Sequence, residues 1–318
     1  MSEFFSRRKF ITGAAVSAAG VMVSDRVLGF SLGNKEELLV PGVNSGPSAY
    51  NIMKETLKYR KLDAHVHSDL FNGGPEGNVE FAERLGITKM VISRPITSGE
   101  GKPEEFRKYN DLILKAMKKF PDKFIGQLTV NVRYQKESLE EINRCVGEGM
   151  VGLKHYHQVK INDPLFYPII EKMIDLKMII HLHAHAQLGY AGYRMKYKVQ
   201  DKPNTSIPED FVDIAKRYPE AMFQYAHIGG GGDWEYACKS FVNYPNIYVD
   251  TSGSNNPENM VDFALQKLGE DRLFFGTDNC YYQSVGKILA SNLSEKQRKK
   301  VFFDNYNKVL KKSGNGLD

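Results

Sequence analysis

With 318 residues, 42% hydrophobic and 25% charged, the chain has the composition of a globular protein whose core is large enough to need no disulfide. Its net charge of +5 comes from Lys and Arg interspersed with Asp and Glu, which argues against nucleic acid as a partner, since such binders gather basic charge on one face. Cys145, Cys238 and Cys280 are odd in number and widely spaced, which speaks against a disulfide framework or a zinc ribbon.

The N-terminus differs from the rest. Ser6-Arg7-Arg8-Lys9-Phe10-Ile11 precedes a mildly apolar, Ala/Gly-rich run from Thr12 to Val23. A basic start and an apolar stretch too short to span a bilayer comfortably make a secretory signal. The S-R-R-x-F-I pattern resembles a twin-arginine signal, and the plainer alternative is a frayed amphipathic end. The expectation is a signal over residues 1–33, recognised by the twin-arginine export machinery, and a periplasmic or exported protein. No clean A-x-A cleavage site follows, so a retained N-terminal anchor is the other outcome. Residues 34–58, with Pro41-Gly42 and Ser45-Gly46-Pro47, read as a linker, and residues 59–318 as one folded domain.

From Tyr59 onward short apolar runs alternate with helix-like segments. The predicted strands are Leu62–His67, Ile87–Ser93, Phe124–Asn131, Val151–His157, Met178–His185, Met222–His227, Ile247–Thr251 and Leu273–Thr277. Amphipathic stretches such as Glu104–Phe120, Leu139–Glu148, Pro168–Leu176 and Pro208–Tyr218 lie between them. Strand followed by helix, eight times over, predicts an α/β fold of the (β/α)8 TIM-barrel type as a single domain. The main alternative, a doubly wound open sheet, lacks its usual G-x-G-x-x-G after the first strand.

All eight histidines, at 65, 67, 155, 157, 181, 183, 185 and 227, fall at the carboxyl ends of predicted strands. In barrels that end carries the active site. His65 and His67 are two apart, as are His181, His183 and His185, so each set shares a strand face. Asp278 ends the last strand, which neighbours the first when a barrel closes. Two imidazoles from strand 1, one from strand 5 and this carboxylate suit a divalent metal. The metal would lower the pKa of bound water towards ~7 and create a hydroxide nucleophile.

Asp63-Ala64-His65-Val66-His67, Gly152-Leu153-Lys154, Ile180-His181-Leu182-His183, Ala226-His227-Ile228-Gly229-Gly230 and Gly276-Thr277-Asp278 occur in barrel order. In these motifs the chain resembles the amidohydrolase superfamily. The similarity is to the amidohydrolase-related family, the branch with aminocarboxymuconate-semialdehyde decarboxylase and pyrone-dicarboxylate lactonase. The resemblance implies one divalent metal, zinc first and manganese as the other candidate, held by His65, His67, His183 and Asp278. It implies a water-activating role for His227, with Asp278 as the other proton carrier. Lys154 resembles the lysine of the single-metal G-x-K motif, although in other branches that lysine is carboxylated and bridges two metals. His181 and His185 are additional to the family's strand-5 pattern.

Each assignment has a plainer reading. Asp278 could be a helix N-cap, and His227 a buried hydrogen-bonded imidazole. His155 and His157 point opposite to Lys154 on a regular strand and read as packing or rim residues. Gly229 and Gly230 open a glycine run that can cradle an anion or form a tight turn. Arg94, Arg133 and Arg194 can clamp a substrate carboxylate or lie in solvent, and Trp234 can wall a pocket or simply pack. The reading that leads is a metal-dependent hydrolase acting on an amide, lactone or related bond of a small, anionic-leaning substrate. The alternative is a non-oxidative decarboxylase of an unsaturated or aromatic acid at the same site. A third reading is an exported barrel that binds a metal or ligand without turnover. A homodimer is expected only by analogy with related barrels.

Overall fold

In a computed structural model of the protein, residues 50–68, 73–97, 99–184, 204–228, 234–253 and 259–318 are described. Asn51–Asp318 form one structural unit. Its strands are β1 (Lys61–His67), β2 (Ile87–Ser93), β3 (Phe124–Gly126), β4 (Gly152–His155), β5 (Ile179–Leu182), β6 (Met222–Tyr225), β7 (Ile247–Asp250) and β8 (Leu273–Phe274). Neighbours pair in parallel as β1-β2-β3 and as β4-β5-β6-β7-β8. The two ladders join through a parallel bridge between Leu128 and Leu153 and through Val151 N–H donating to the Gly126 carbonyl at 2.8 Å. On the other side Ala64 N–H donates to Phe275 C=O at 2.8 Å, and Asp278 N–H to His65 C=O at 2.7 Å. The sheet therefore closes on itself as the alternating pattern predicts, and each described strand has a partner on both sides.

The helices are α1 (Ile52–Leu57), α2 (Gly74–Leu85), α3 (Pro103–Lys119), α4 (Gln135–Gly147), α5 (Tyr167–Asp175), α6 (Pro208–Arg217), α7 (Trp234–Ser240), α8 (Met260–Leu268) and α9 (Tyr281–Ala290). A final group comprises α10 (Glu295–Lys299), a π-helical turn at Lys300–Asp304, and α11 (Asn305–Lys312). The logic of α3 is typical. Pro103 stands in its first turn with Glu104 and Glu105, Lys118 and Lys119 close the last turn, and Phe106, Asn110, Ile113 and Ala116 are buried. Charges thus complement the helix dipole while one stripe faces the sheet.

Two apolar layers result. The outer one joins strand residues such as Val66, Ile92, Leu153 and Tyr225 to the helices. The inner one gathers Leu62, Ala64, Val91, Ile179, Met222 and Phe274 with Phe303, Tyr306, Val309 and Leu310, so the C-terminal helices pack on the barrel interior. A register irregularity between Asp63 and Val66 in the β1–β2 pairing is a β-bulge, a device that re-aims side chains. Below it Leu62 and Ala64 join the inner layer, while above it His65 reaches across to β4 and β5.

Two sequence expectations change. Ile52–Leu57, assigned to the linker, is helical, with Asn51 as N-cap accepting from Lys54 N–H at 2.9 Å. β3, β4, β5, β6 and β8 also end earlier than their apolar runs, and beyond β6 and β8 the backbone turns left-handed at His227 (φ 63°) and Asp278 (φ 48°). None of the described helices is long and apolar enough to cross a membrane. The proposed signal lies outside the described residues.

Candidate metal centre

At the carboxyl ends of β1 and β8 three donors converge. Nε2 of His65 and Nε2 of His67 are 3.2 Å apart. Oδ1 of Asp278 is 3.5 Å from the first and 3.2 Å from the second. A tetrahedral ion with bonds of 2.0–2.1 Å has ligand–ligand edges of about 3.3 Å, so the triangle has the size of one face of such a site. Two imidazole Nε2 atoms facing each other this closely also need a cation or a proton between them. The donor set fits a divalent metal. His65, His227 and Asp278 likewise present ligand atoms within 4.8 Å of one another.

Local backbone holds this geometry. A non-glycine residue in left-handed conformation costs energy and persists where its surroundings over-determine it. Asp278 is tied by its N–H to the His65 carbonyl. The next residue, Asn279, also left-handed (φ 64°), accepts from His67 N–H at 2.8 Å and donates to His67 C=O at 2.9 Å. Its side chain replaces a strand partner where β8 has already ended. Gly276 permits close approach, since a Cβ there would stand 3.1 Å from the Cβ atoms of both His65 and Asp250.

A buried polar layer lies beneath. Lys154 Nζ is 2.9 Å from Nε2 of His65 and 3.0 Å from Nε2 of His181, and His181 Nδ1 meets Gln127 Oε1 at 3.0 Å. Asp250 Oδ2 lies 3.2 Å from His65 Nδ1 and 3.4 Å from His181 Nε2, and accepts from Gln224 at 2.9 Å. Burial pushes Lys154 down to about 8, against the pull of Asp278 and Asp250. Burial alone would raise Asp250 and Asp278, but the imidazoles around them hold both well below the usual carboxylate range. Burial pushes His227 down to about 3 and His181 well below the usual imidazole range, so both are neutral.

The residues singled out from sequence divide clearly. His65, His67, Asp278, His227 and Lys154 come together. His183 lies beside them, its Nδ1 2.8 Å from Nε2 of His227 and its ring 4.0 Å from that of Tyr156. Arg94 stacks over Tyr109 of α3 at 4.9 Å. Arg133 lines a polar cavity of about 430 Å³ with Tyr134, His157 and Asn204. His155 faces outward, bonded to the Val159 carbonyl at 3.0 Å and packed on Phe166, while Trp234 packs on Phe263. His185, Arg194, Gly229 and Gly230 lie outside the described residues.

Asp250, Ser252, Gln224, Gln127 and Asn279 were not anticipated. Asp250 could have been, because it sits at the carboxyl end of a predicted strand, where the histidines drew attention. The glutamines and Ser252 carry no comparable signal.

Imidazoles and a carboxylate converging at the catalytic end of a closed barrel define a metal-dependent barrel enzyme for small molecules. The family profile described as Amidohydrolase matches residues 62–311, and the chain belongs to that family. It is 23% identical over 271 residues to the 2-amino-3-carboxymuconate-6-semialdehyde decarboxylase of Dictyostelium discoideum, covering 74% of this chain and 73% of the relative. A 2,6-dihydroxybenzoate decarboxylase solved with 2,6-dihydroxybenzoate shares the fold at TM-score 0.63 and 18% identity, over 80% of this chain and 100% of that one. The dihydroxybenzoic acid decarboxylase of Polaromonas sp. JS666, solved with manganese and 2-nitroresorcinol, gives TM-score 0.61 at 18% identity, over 80% and 96% of the two chains.

Proposed function

We propose that the protein is a divalent-metal-dependent, non-oxidative decarboxylase of a small aromatic or unsaturated carboxylic acid. The observation that carries this reading is the pairing of the His65–His67–Asp278 donor triangle with a neutral, buried His227. The relatives support it, being named decarboxylases. Sequence reasoning leaned towards hydrolysis; the named activities of the relatives shift the balance to carbon–carbon cleavage at the same constellation. A donor set this complete also weighs against a barrel that only binds ligand.

His65, His67 and Asp278 would hold the ion, with His183 and His227 flanking it. When bound, the ion supplies Lewis acidity that orients a substrate oxygen. His227 Nδ1 stands 3.5 Å from Asp278 Oδ2, an arrangement that holds a proton between imidazole and carboxylate. A proton taken up from solvent and passed through this pair to the carbon that bears the carboxylate replaces the departing carbon dioxide; the bonding pair stays on that carbon, and His227 and Asp278 end as they began, neutral and ionised. Manganese, present in a relative's structure, now stands beside zinc as a candidate.

The test is incubation of the metal-loaded protein with 2,6-dihydroxybenzoate and a panel of aromatic and unsaturated acids, lactones and esters. Carbon dioxide release that stops with chelator and returns with manganese or zinc is expected. Hydrolysis of lactones without carbon dioxide would return the assignment to the hydrolase.

We further propose, from Ser6–Ile11 alone, export by the twin-arginine machinery; fractionation of wild type against an Arg7→Lys, Arg8→Lys variant tests it. A homodimer is the expected assembly, checked by light scattering.

A further inference from the structure

We propose that Ser252 is a positioning residue that fixes the ring tautomers of His65 and His227 together, from a single hydroxyl anchored on Asp250. The inference rests on the metal-centre reading above only where it treats His65 as a ligand.

The argument is one of proton counting. Ser252 Oγ lies 2.5 Å from Asp250 Oδ1, the length of a hydroxyl donating to an ionised carboxylate. The same oxygen accepts from Ser252 N–H at 3.1 Å and His227 N–H at 3.2 Å, so this one oxygen is held by three donors. A serine hydroxyl has one hydrogen and two lone pairs. With its hydrogen committed to Asp250, Ser252 Oγ can only accept from the two imidazoles beside it.

Those imidazoles are His65, whose Nδ1 is 3.1 Å from Oγ, and His227, whose Nδ1 is also 3.1 Å away. The other neighbour of His65 Nδ1 is Asp250 Oδ2 at 3.2 Å, again an acceptor, and that of His227 Nδ1 is Asp278 Oδ2 at 3.5 Å. Both Nδ1 atoms must therefore carry hydrogen. For neutral rings Nε2 is then the lone-pair nitrogen of each. In His65 that lone pair faces the donor triangle and the Lys154 Nζ donor at 2.9 Å. In His227 it accepts from His183 Nδ1–H at 2.8 Å, so the order set at Ser252 passes on to a third ring.

Partners of this kind orient metal-bound imidazoles and raise their basicity. Here one side chain would do so for a ligand from β1 and a proton carrier after β6. Without the hydroxyl, His65 keeps Asp250 as acceptor, but His227 is left with the more distant Asp278 and can turn to the Nε2–H form.

The test reads tautomers directly in metal-free full-length protein labelled with 15N-histidine, by long-range 1H–15N correlation, each ring assigned from single His→Gln variants. Wild type should show Nδ1–H for both His65 and His227. Ser252→Ala should shift His227 towards Nε2–H while His65 stays Nδ1–H on Asp250, and Ser252→Thr, which keeps the hydroxyl, should restore the wild-type pattern. A wild-type spectrum with either ring protonated on Nε2 overturns the proposal even if Ser252→Ala does not fold. So does a folded Ser252→Ala protein in which the His227 tautomer is unchanged. No substrate is used, so absence of decarboxylase activity would leave this result standing.

Discussion

The carboxylate of Asp250 on β7 lies 3.2 Å from the Nδ1 atom of His65 on β1, with both side chains fully buried. Two strands separated only by β8 thus meet inside the barrel in one hydrogen-bonded contact to a carboxylate. Removing the carboxylate strands the buried hydrogen-bonding groups that face it, at a cost of about 1–3 kcal/mol for each one left unsatisfied. Asp250→Ala should lose stability of that order in denaturant unfolding and fall about 10- to 100-fold in metal affinity. A variant with wild-type stability and affinity would mean that the contact is incidental.

A bound ion should stabilise the fold through mass action. At a metal concentration of about 100 times Kd the gain is about 2.7 kcal/mol, visible as a raised melting temperature. His65→Ala should fold yet show no such shift with manganese or zinc. A full shift in that variant would place the ion elsewhere.

Gly276 tests the closeness of the barrel seam. An alanine Cβ would crowd the Cβ atoms of His65 and Asp250 at 3.1 Å, and overpacking of this kind costs about 1–3 kcal/mol. Gly276→Ala should therefore lower both melting temperature and metal affinity, with affinity recovering least on cooling. Stability that falls while affinity holds would show that the seam gives way from the outer side.

Asn110 on α3 offers a control remote from the chemistry. Its amide donates to Thr129 C=O at 2.9 Å and Glu141 Oε1 at 2.8 Å, and its carbonyl accepts from Thr129 N–H at 2.8 Å. Asn110→Ala strands these buried groups, at about 1–3 kcal/mol for each one left unsatisfied. Calorimetry should show a marked drop in melting temperature, while metal stoichiometry stays unchanged.

Lys61 carries a pH signature. Its buried ammonium donates to Thr56 and Tyr59 carbonyls, and burial lowers its pKa to about 8. Between about 8 and the ordinary lysine value of about 10.4 the unfolded chain binds more protons than the folded one. Stability contributed by this group therefore rises with pH across that window and is lost below it. Unfolding free energies at pH 8 and 10 should rise by about 2–3 kcal/mol more in wild type than in Lys61→Met. Equal slopes in the two proteins would dismiss Lys61 as the source.

The barrel and the cluster of imidazoles were legible because period-two alternation places His65 with His67, and because every histidine falls at the end of a predicted strand. What escaped is what depends on contacts between distant segments. The bulge that brings His65 into phase is written in no local pattern. Asn279 imitating a strand beside His67 looks in sequence like an ordinary turn residue. Ser252 matters only because Asp250 and two rings reach it from other strands. Ile52–Leu57 was missed as a helix because a single capped turn carries too little periodicity to register.

The left-handed backbone at His227 and Asp278 also constrains how this centre can drift over generations. Few side chains tolerate that conformation, and asparagine is the one that does so while matching aspartate in shape. Evolutionary traffic through position 278 is thereby funnelled towards Asn or Gly, and a neighbouring scaffold that loses its carboxylate there can do so without rebuilding the loop. Silencing this chemistry is one nucleotide step away, whereas diversifying it must begin at some other position.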